Sequence, residues 1–283
     1  MDKNKIIIRW LVFVFVIVIC FGLYVLYLNN SKISIKFSQK EFGNNLQQNN
    51  FSAEIKPTEF YAPILMYHHI EKKEPQNTYY VSPEIFRQQM QWLKDNNYKV
   101  VSYDDFYKKA VGLGELPEKP AIITFDDGVI DQYTNALPIL KEFGYTATFF
   151  IKLNNVGEGK GGMTWDMIKE LIDSGMTIGS HSMNHDNMAN MDEKTLKYEL
   201  TESKKVLEEN LDINIYYFCY PGGAYSEETI KATQDAGYRS ASTTSHKVIH
   251  KIKNYEDLFK IPRIHIDDEI PTFVDWVQGK NLK

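Results

Sequence analysis

Two hydrophobic patterns divide this chain. Residues 10–28 form one uncharged apolar run, whereas from residue 58 onward short β-branched runs alternate with polar stretches of helical period. The first run is long enough to cross a bilayer at about 1.5 Å per residue, with Trp10, Tyr24 and Tyr27 near its ends, where interfacial aromatics sit. A cleaved signal peptide has a shorter apolar core followed by a small-x-small site. Neither is present here, so an uncleaved, single-pass membrane anchor is expected. Residues 1–9 then form a cytoplasmic tail. Residues 29–57, rich in Asn, Gln, Ser and Lys, read as a flexible tether, which as a coil spans roughly 30 Å.

Within residues 58–283 the pattern predicts strands at Pro63–Ile70, around Val100, at Ala121–Phe125, Ala147–Lys152, Met176–Gly179, Ile215–Tyr220, Tyr238–Ser242 and Lys260–Ile266. Helices are expected at Pro83–Asn96, from Tyr103, at Asp131–Phe143 with Pro138 inside, at Trp165–Ser174, Asp192–Glu209 and Ser226–Ala236, and from Pro271. Ser82 followed by Pro83 has the form of an N-cap with proline at the first helical position. So many alternating β and α units imply a parallel barrel or an open parallel sheet.

Composition narrows this further. At 283 residues and 43% hydrophobic content the chain can bury one sizeable core. The two cysteines, Cys20 in the apolar run and Cys219 in a strand, are not expected to pair. The net charge of −5 conceals an asymmetry, because residues 1–56 carry +4 and the remainder −9. An acidic domain is a poor partner for nucleic acid, and it suits a neutral polymer or one that becomes cationic as it is processed. A monomer is expected.

The chemistry gathers at two strand ends. Ala121-Ile122-Ile123-Thr124-Phe125 runs straight into Asp126-Asp127-Gly128. Two like charges side by side are costly unless a cation stands near them, which points to a metal ion. The partner is His181-Ser182-Met183-Asn184-His185 after a second strand, with two imidazoles four residues apart that can face one point. Two histidines and one carboxylate leave coordination positions open, as a catalytic ion requires. Asp127, His181 and His185 are therefore the candidate ligands and Asp126 the candidate base. Zinc is the first choice of divalent ion, and cobalt, iron or manganese also suit such a set. The glycine-rich Gly157–Gly162 segment lacks the Gly-Lys-Ser/Thr ending of a phosphate loop and reads as a mobile loop beside the site.

Thr124-Phe125-Asp126-Asp127-Gly128 together with His181-Ser182-Met183-Asn184-His185 resembles the polysaccharide deacetylases, the family-4 carbohydrate esterases that share the NodB homology domain. The resemblance covers roughly residues 60–280 and implies a distorted (β/α) barrel in which the first Asp is the general base and the second Asp and both His hold the ion. One family feature is missing, because Cys219 stands at or near the strand position where most members carry an Arg beside the catalytic Asp. Met66-Tyr67-His68-His69-Ile70, Tyr220-Pro221-Gly222-Gly223 and Pro262-Arg263-Ile264 instead resemble the subgroup that deacetylates poly-β-1,6-N-acetylglucosamine. That resemblance makes His68 the general acid, with His265 the other candidate. It lets Arg263 supply the missing cation beside Asp126 and puts Tyr220, Pro221 and Gly222 at the substrate. His69 reads as a satisfied or exposed histidine, and Cys219 as a small core residue.

The expected activity is metal-dependent removal of N-acetyl groups from an N-acetylglucosamine-containing polysaccharide, with the catalytic domain outside the cell. Peptidoglycan, poly-N-acetylglucosamine and chitin-like oligomers all remain open as substrates. Two other classes share the motifs: an inactive carbohydrate-binding module, and a metallohydrolase of acetyl esters or small amides.

Overall fold

Runs of apolar residues without polar interruption become strands covered on both faces. The computed structural model describes residues 58–280 apart from 73–76, 158 and 160, and the expected anchor and tether lie outside them. Every residue of β2 (Ile64–Tyr67), β4 (Pro120–Phe125) and β5 (Thr148–Ile151) is buried, as parallel strands sandwiched by helices require. They join β3 (Lys99–Val100), β6 (Thr177–Ser180), β7 (Tyr217–Cys219), β8 (Ser240–Ser242) and β10 (Ile264–His265) in an eight-stranded sheet. Its order is β10-β2-β4-β5-β6-β7-β8, with β3 beside β4, and every pairing is parallel.

The last stretch of the chain closes the curl of this sheet. Ile261 bridges in parallel to Ser242 of β8, while Ile264 and His265 pair with Leu65 and Met66 of β2. The single strand expected at Lys260–Ile266 is therefore split. Pro262, which has no N–H to give a ladder, falls between the two contacts. The kink turns Arg263, with none of its surface exposed, into the interior.

Helices α1 (Pro83–Asp95), α2 (Tyr103–Ala110), α3 (Leu137–Phe143), α4 (Trp165–Asp173), α5 (Glu193–Leu211), α6 (Glu227–Asp235) and α7 (Ile270–Val277) complete the architecture. Ser82 caps α1 as its sequence indicated, accepting from the amide of Ile85. The helix expected over Asp131–Phe143 is interrupted: Gln132–Ala136 form a π-turn, and α3 restarts with proline in its first turn. Proline at 138 cannot donate to the carbonyl four residues back and its ring crowds that carbonyl, so the ladder widens upstream of it. A small antiparallel pair, β1 (Thr58–Ala62) with β9 (Ile249–Ile252), was not foreseen.

Because the main sheet is parallel, the C-terminal ends of its strands lie at one edge. His68 follows β2, Asp126 follows β4, His181 follows β6, and His265 ends β10. The loops at that edge are where such folds place their sites.

Candidate active site

A cleft of about 560 Å³ opens at this edge, lined by His68, Tyr79, Asp126, Asp127, His181, His185, Gly222, His246 and His265 among others. Six of the chain's seven histidines face it, a concentration that core packing does not require.

The turn after β4 sends its two carboxylates apart. The amide of Asp126 still pairs with the carbonyl of Tyr67 at 3.0 Å, so Asp126 continues the strand. Asp127 and Gly128 then take φ of 74° and 66°. Asp tolerates this left-handed conformation better than most residues. The positive φ of Gly128 favours glycine, and a Cβ there would sit tightly, 3.1 Å from Cδ1 of Ile151. The turn is latched from outside, since Met163 donates to the carbonyl of Gly128 and Ile130 to that of Gly161. The glycine-rich segment, read above as a mobile loop, thus has its C-terminal end tied to the acid turn, and Gly157 donates to the carbonyl of Met163.

On one side of the cleft, Asp127 faces two imidazoles. Its Oδ1 lies 3.8 Å from Nε2 of His181 and 3.5 Å from Nε2 of His185. That oxygen is buried and has no hydrogen-bond partner. His181 is 2% exposed and its Nδ1 sits 2.8 Å from the carbonyl of Cys219. A carbonyl can only accept, so Nδ1 carries the proton and Nε2 presents its lone pair to Asp127. An orphaned carboxylate oxygen facing two imidazole nitrogens, all within 4.8 Å of one another, fits one divalent ion held by Asp127, His181 and His185.

On the other side, Asp126 is 1% exposed and sealed against Arg263. Nη1 of Arg263 donates to Oδ1 at 2.7 Å and Nη2 to Oδ2 at 2.6 Å, a two-pronged pair. The guanidinium is satisfied elsewhere by the carbonyl of Thr243, the hydroxyl of Thr124 and Sγ of Cys219 at 2.9 Å. Burial pushes the Asp126 carboxyl up, but the charge and hydrogen bonds of Arg263 outweigh it and hold the group well below the usual carboxylate range. The thiol of Cys219, expected as core filler, touches this pair; burial pushes it far above the usual thiol range.

Nε2 of His68 stands 3.9 Å from Oδ2 of Asp126, its Nδ1 is buried without a partner, and its ring packs edge-on against Tyr79. Burial lowers its pKa to about 4, with Arg263 and His265 acting in the same direction against the pull of Asp126 and Asp127. Burial thus favours the neutral ring at rest. The ring of His265 lies 5.8 Å from that of His68, and its pKa is also lowered, by burial first and then by His246.

Of the three residues placed at the substrate, only Gly222 lines the cleft. Tyr220 is wholly buried, stacked on Tyr225 and edge-on to Phe218, and Pro221 is buried beside it, so both lie beneath the site and not in it.

Sequence reasoning missed the groups that hold these side chains. The side chain of Gln132 donates to the carbonyls of both His68 and Asp126, lacing the ends of β2 and β4 together. Asp131 accepts from Nδ1 of His69 and the amide of Ile70, each at 2.7 Å, and the His69 ring stacks flat on Tyr80. His69 is thereby a satisfied histidine on the cleft wall. Only the clustering of Asp131 and Gln132 just after the acid turn could have drawn attention to them.

A parallel α/β sheet curled round an acid–histidine cleft at its C-terminal edge has the arrangement of an α/β enzyme site. Residues 114–241 match the family described as polysaccharide deacetylase. A poly-β-1,6-N-acetyl-D-glucosamine N-deacetylase of Staphylococcus aureus is 30% identical over 220 residues, 72% of this chain and 73% of that one. The Bacillus subtilis relative YxkH is 34% identical over 182 residues, 64% of each chain, so that match spans just under two thirds of it. Among solved structures, a Streptococcus pyogenes deacetylase, PplD, in complex with acetate, superimposes with a TM-score of 0.71 at 28% identity, covering 77% of this chain and 97% of that one. The chain belongs to the polysaccharide deacetylases.

Proposed function

We propose that this protein removes N-acetyl groups from N-acetylglucosamine residues of a poly-β-1,6-linked polymer or a close relative of it. The observation that carries this reading is the division of labour across one cleft: an ion-binding trio beside a carboxylate held ionised by arginine. The polymer follows the 30%-identical Staphylococcus aureus relative, a poly-β-1,6-N-acetyl-D-glucosamine N-deacetylase.

Asp127, His181 and His185 would hold one divalent ion, zinc by preference, which when bound polarises the acetamide carbonyl and acidifies water. Arg263 keeps Asp126 ionised and fixes its orientation, so Asp126 takes a proton from the water that attacks the carbonyl carbon. His68, neutral at rest, has Nε2 3.9 Å from Oδ2 of Asp126 and is placed to relay the proton to the departing nitrogen. The C–N bond breaks, the nitrogen leaves as a free amine, and acetate remains. Gln132 holds the backbone beneath His68 and Asp126, which keeps acceptor and relay in register. The uncharged run at residues 10–28 supports a single membrane span with this domain outside the cell.

Acetate release from poly-β-1,6-N-acetylglucosamine, peptidoglycan and chitin oligomers, with and without chelator, tests the reading. Release from the first, lost on chelation and restored by zinc or cobalt, is expected. Full turnover in chelated protein would overturn it.

A further inference from the structure

The loop carrying the second histidine is held from below. Four consecutive amides, those of Ser182, Met183, Asn184 and His185, are all taken by side chains and none by a strand or helix ladder. Ser182 donates to Oγ of Ser180 and His185 to Oγ of Ser182. The two between them converge on Glu199 of α5. Its Oε2 accepts from Met183 at 2.9 Å and Asn184 at 3.0 Å, and its Oε1 accepts from the side-chain amide of Asn184 at 2.6 Å.

Glu199 is 1% exposed, and among the described residues no lysine, arginine or histidine pairs with it. Burying a carboxyl group without a counter-cation is unfavourable unless donors satisfy it, and every donor here belongs to the histidine loop. The loop in turn needs a clamp, because Ser182 and His185 both have left-handed backbones, φ 65° and 69°, which side chains with a Cβ seldom adopt unaided. From the opposite flank, Leu153 and Asn154 donate to the carbonyls of Ser182 and Met183.

We propose that Glu199 is a positioning residue of the ion centre: its grip on Met183 and Asn184 sets the loop so that His185 faces Asp127 before an ion arrives, and this raises affinity for the ion. The inference rests on the reading of Asp127, His181 and His185 as ligands. Glu199→Gln keeps the volume but turns one acceptor into a donor facing donors, which loosens the loop without opening a cavity.

The test is the dissociation constant of zinc from the full-length protein, by competition with a chromophoric chelator, alongside the visible spectrum of the cobalt-loaded form. Glu199→Gln should bind zinc about 10- to 100-fold more weakly, with an altered cobalt spectrum. Asn184→Ala, which removes one donor, should weaken binding about 3- to 10-fold and decides the matter if Glu199→Gln does not fold. Affinities and spectra equal to wild type in both variants would overturn the role of Glu199 while His185→Ala still loses the ion. If wild type binds zinc no better than His185→Ala, the ion-centre reading itself fails.

Discussion

Asp126 is 1% exposed and gives both carboxylate oxygens to Arg263, whereas the side chain of Asp127, one residue on, is 21% exposed and keeps a buried Oδ1 without a hydrogen-bond partner. One backbone torsion separates them. Asp126 continues β4 and points into the sealed seam where Arg263 enters, and the left-handed φ of Asp127 throws its carboxylate toward His181 and His185. The first carboxylate lines the cleft with its charge already matched by Arg263, while the second has two imidazoles and, at 4.0 Å, only the Lys152 ammonium near its Oδ1. Adjacent identical residues thus acquire opposite chemistry from environment alone, which is how one site can hold an ion and still keep a charged acceptor next to it.

The contrast between the two carboxylates should show most strongly in stability. Arg263→Met leaves Asp126 as a buried, unpaired charge and should cost about 3–5 kcal/mol in urea unfolding, as losing one partner of a buried pair does. Asp127→Asn in the metal-free protein should cost less than about 1 kcal/mol, since it breaks no hydrogen bond. Equal costs for the two would show that Arg263 does not seal Asp126.

The buried imidazole next to Asp126 adds a pH dependence of lesser size. The unfolded chain protonates His68 near its ordinary value of 6.5, but the folded site resists until about 4. Between those values the unfolded state binds more protons, so the stability that neutral His68 contributes is present above pH 6.5 and fades as pH falls toward 4. From pH 7 to pH 5 this amounts to about 2 kcal/mol. His185 and His265, also lowered, add to the same trend, so the readout is a difference. Metal-free His68→Gln should lose that much less stability than wild type over the same range. Identical pH slopes would mean that His68 is not buried as described.

The acid turn and the histidine pair were legible because each lies directly after an apolar strand, and chain order alone places strand ends of a parallel sheet at one edge. Arg263 was legible only through the company of Pro262 and Ile264. Nothing local says that the strand breaks at Pro262 and spans the gap between β8 and β2. Tyr220 was misplaced because a strand-end tyrosine looks the same whether it faces the cleft or lies beneath it, and here aromatic stacking on Phe218 and Tyr225 decides. Gln132 and Glu199 were invisible for a related reason: a polar residue on a helix reads as solvent-facing until tertiary packing supplies its buried donors or acceptors. The β1–β9 pair is four or five residues a strand and is fixed by cross-strand partners far apart in the chain, Glu59 with Lys251 among them.

The proposed site assigns the ion to Asp127 and not to Asp126. Zinc content and kcat measured side by side on Asp126→Asn and Asp127→Asn distinguish the two roles. Asp126→Asn should retain one zinc while kcat falls about 10²-fold or more, the scale of one lost proton-transfer group. Asp127→Asn should lose the zinc and the turnover together. Loss of the ion from Asp126→Asn as complete as from Asp127→Asn, or a full complement of zinc at wild-type kcat in Asp127→Asn, would overturn this assignment.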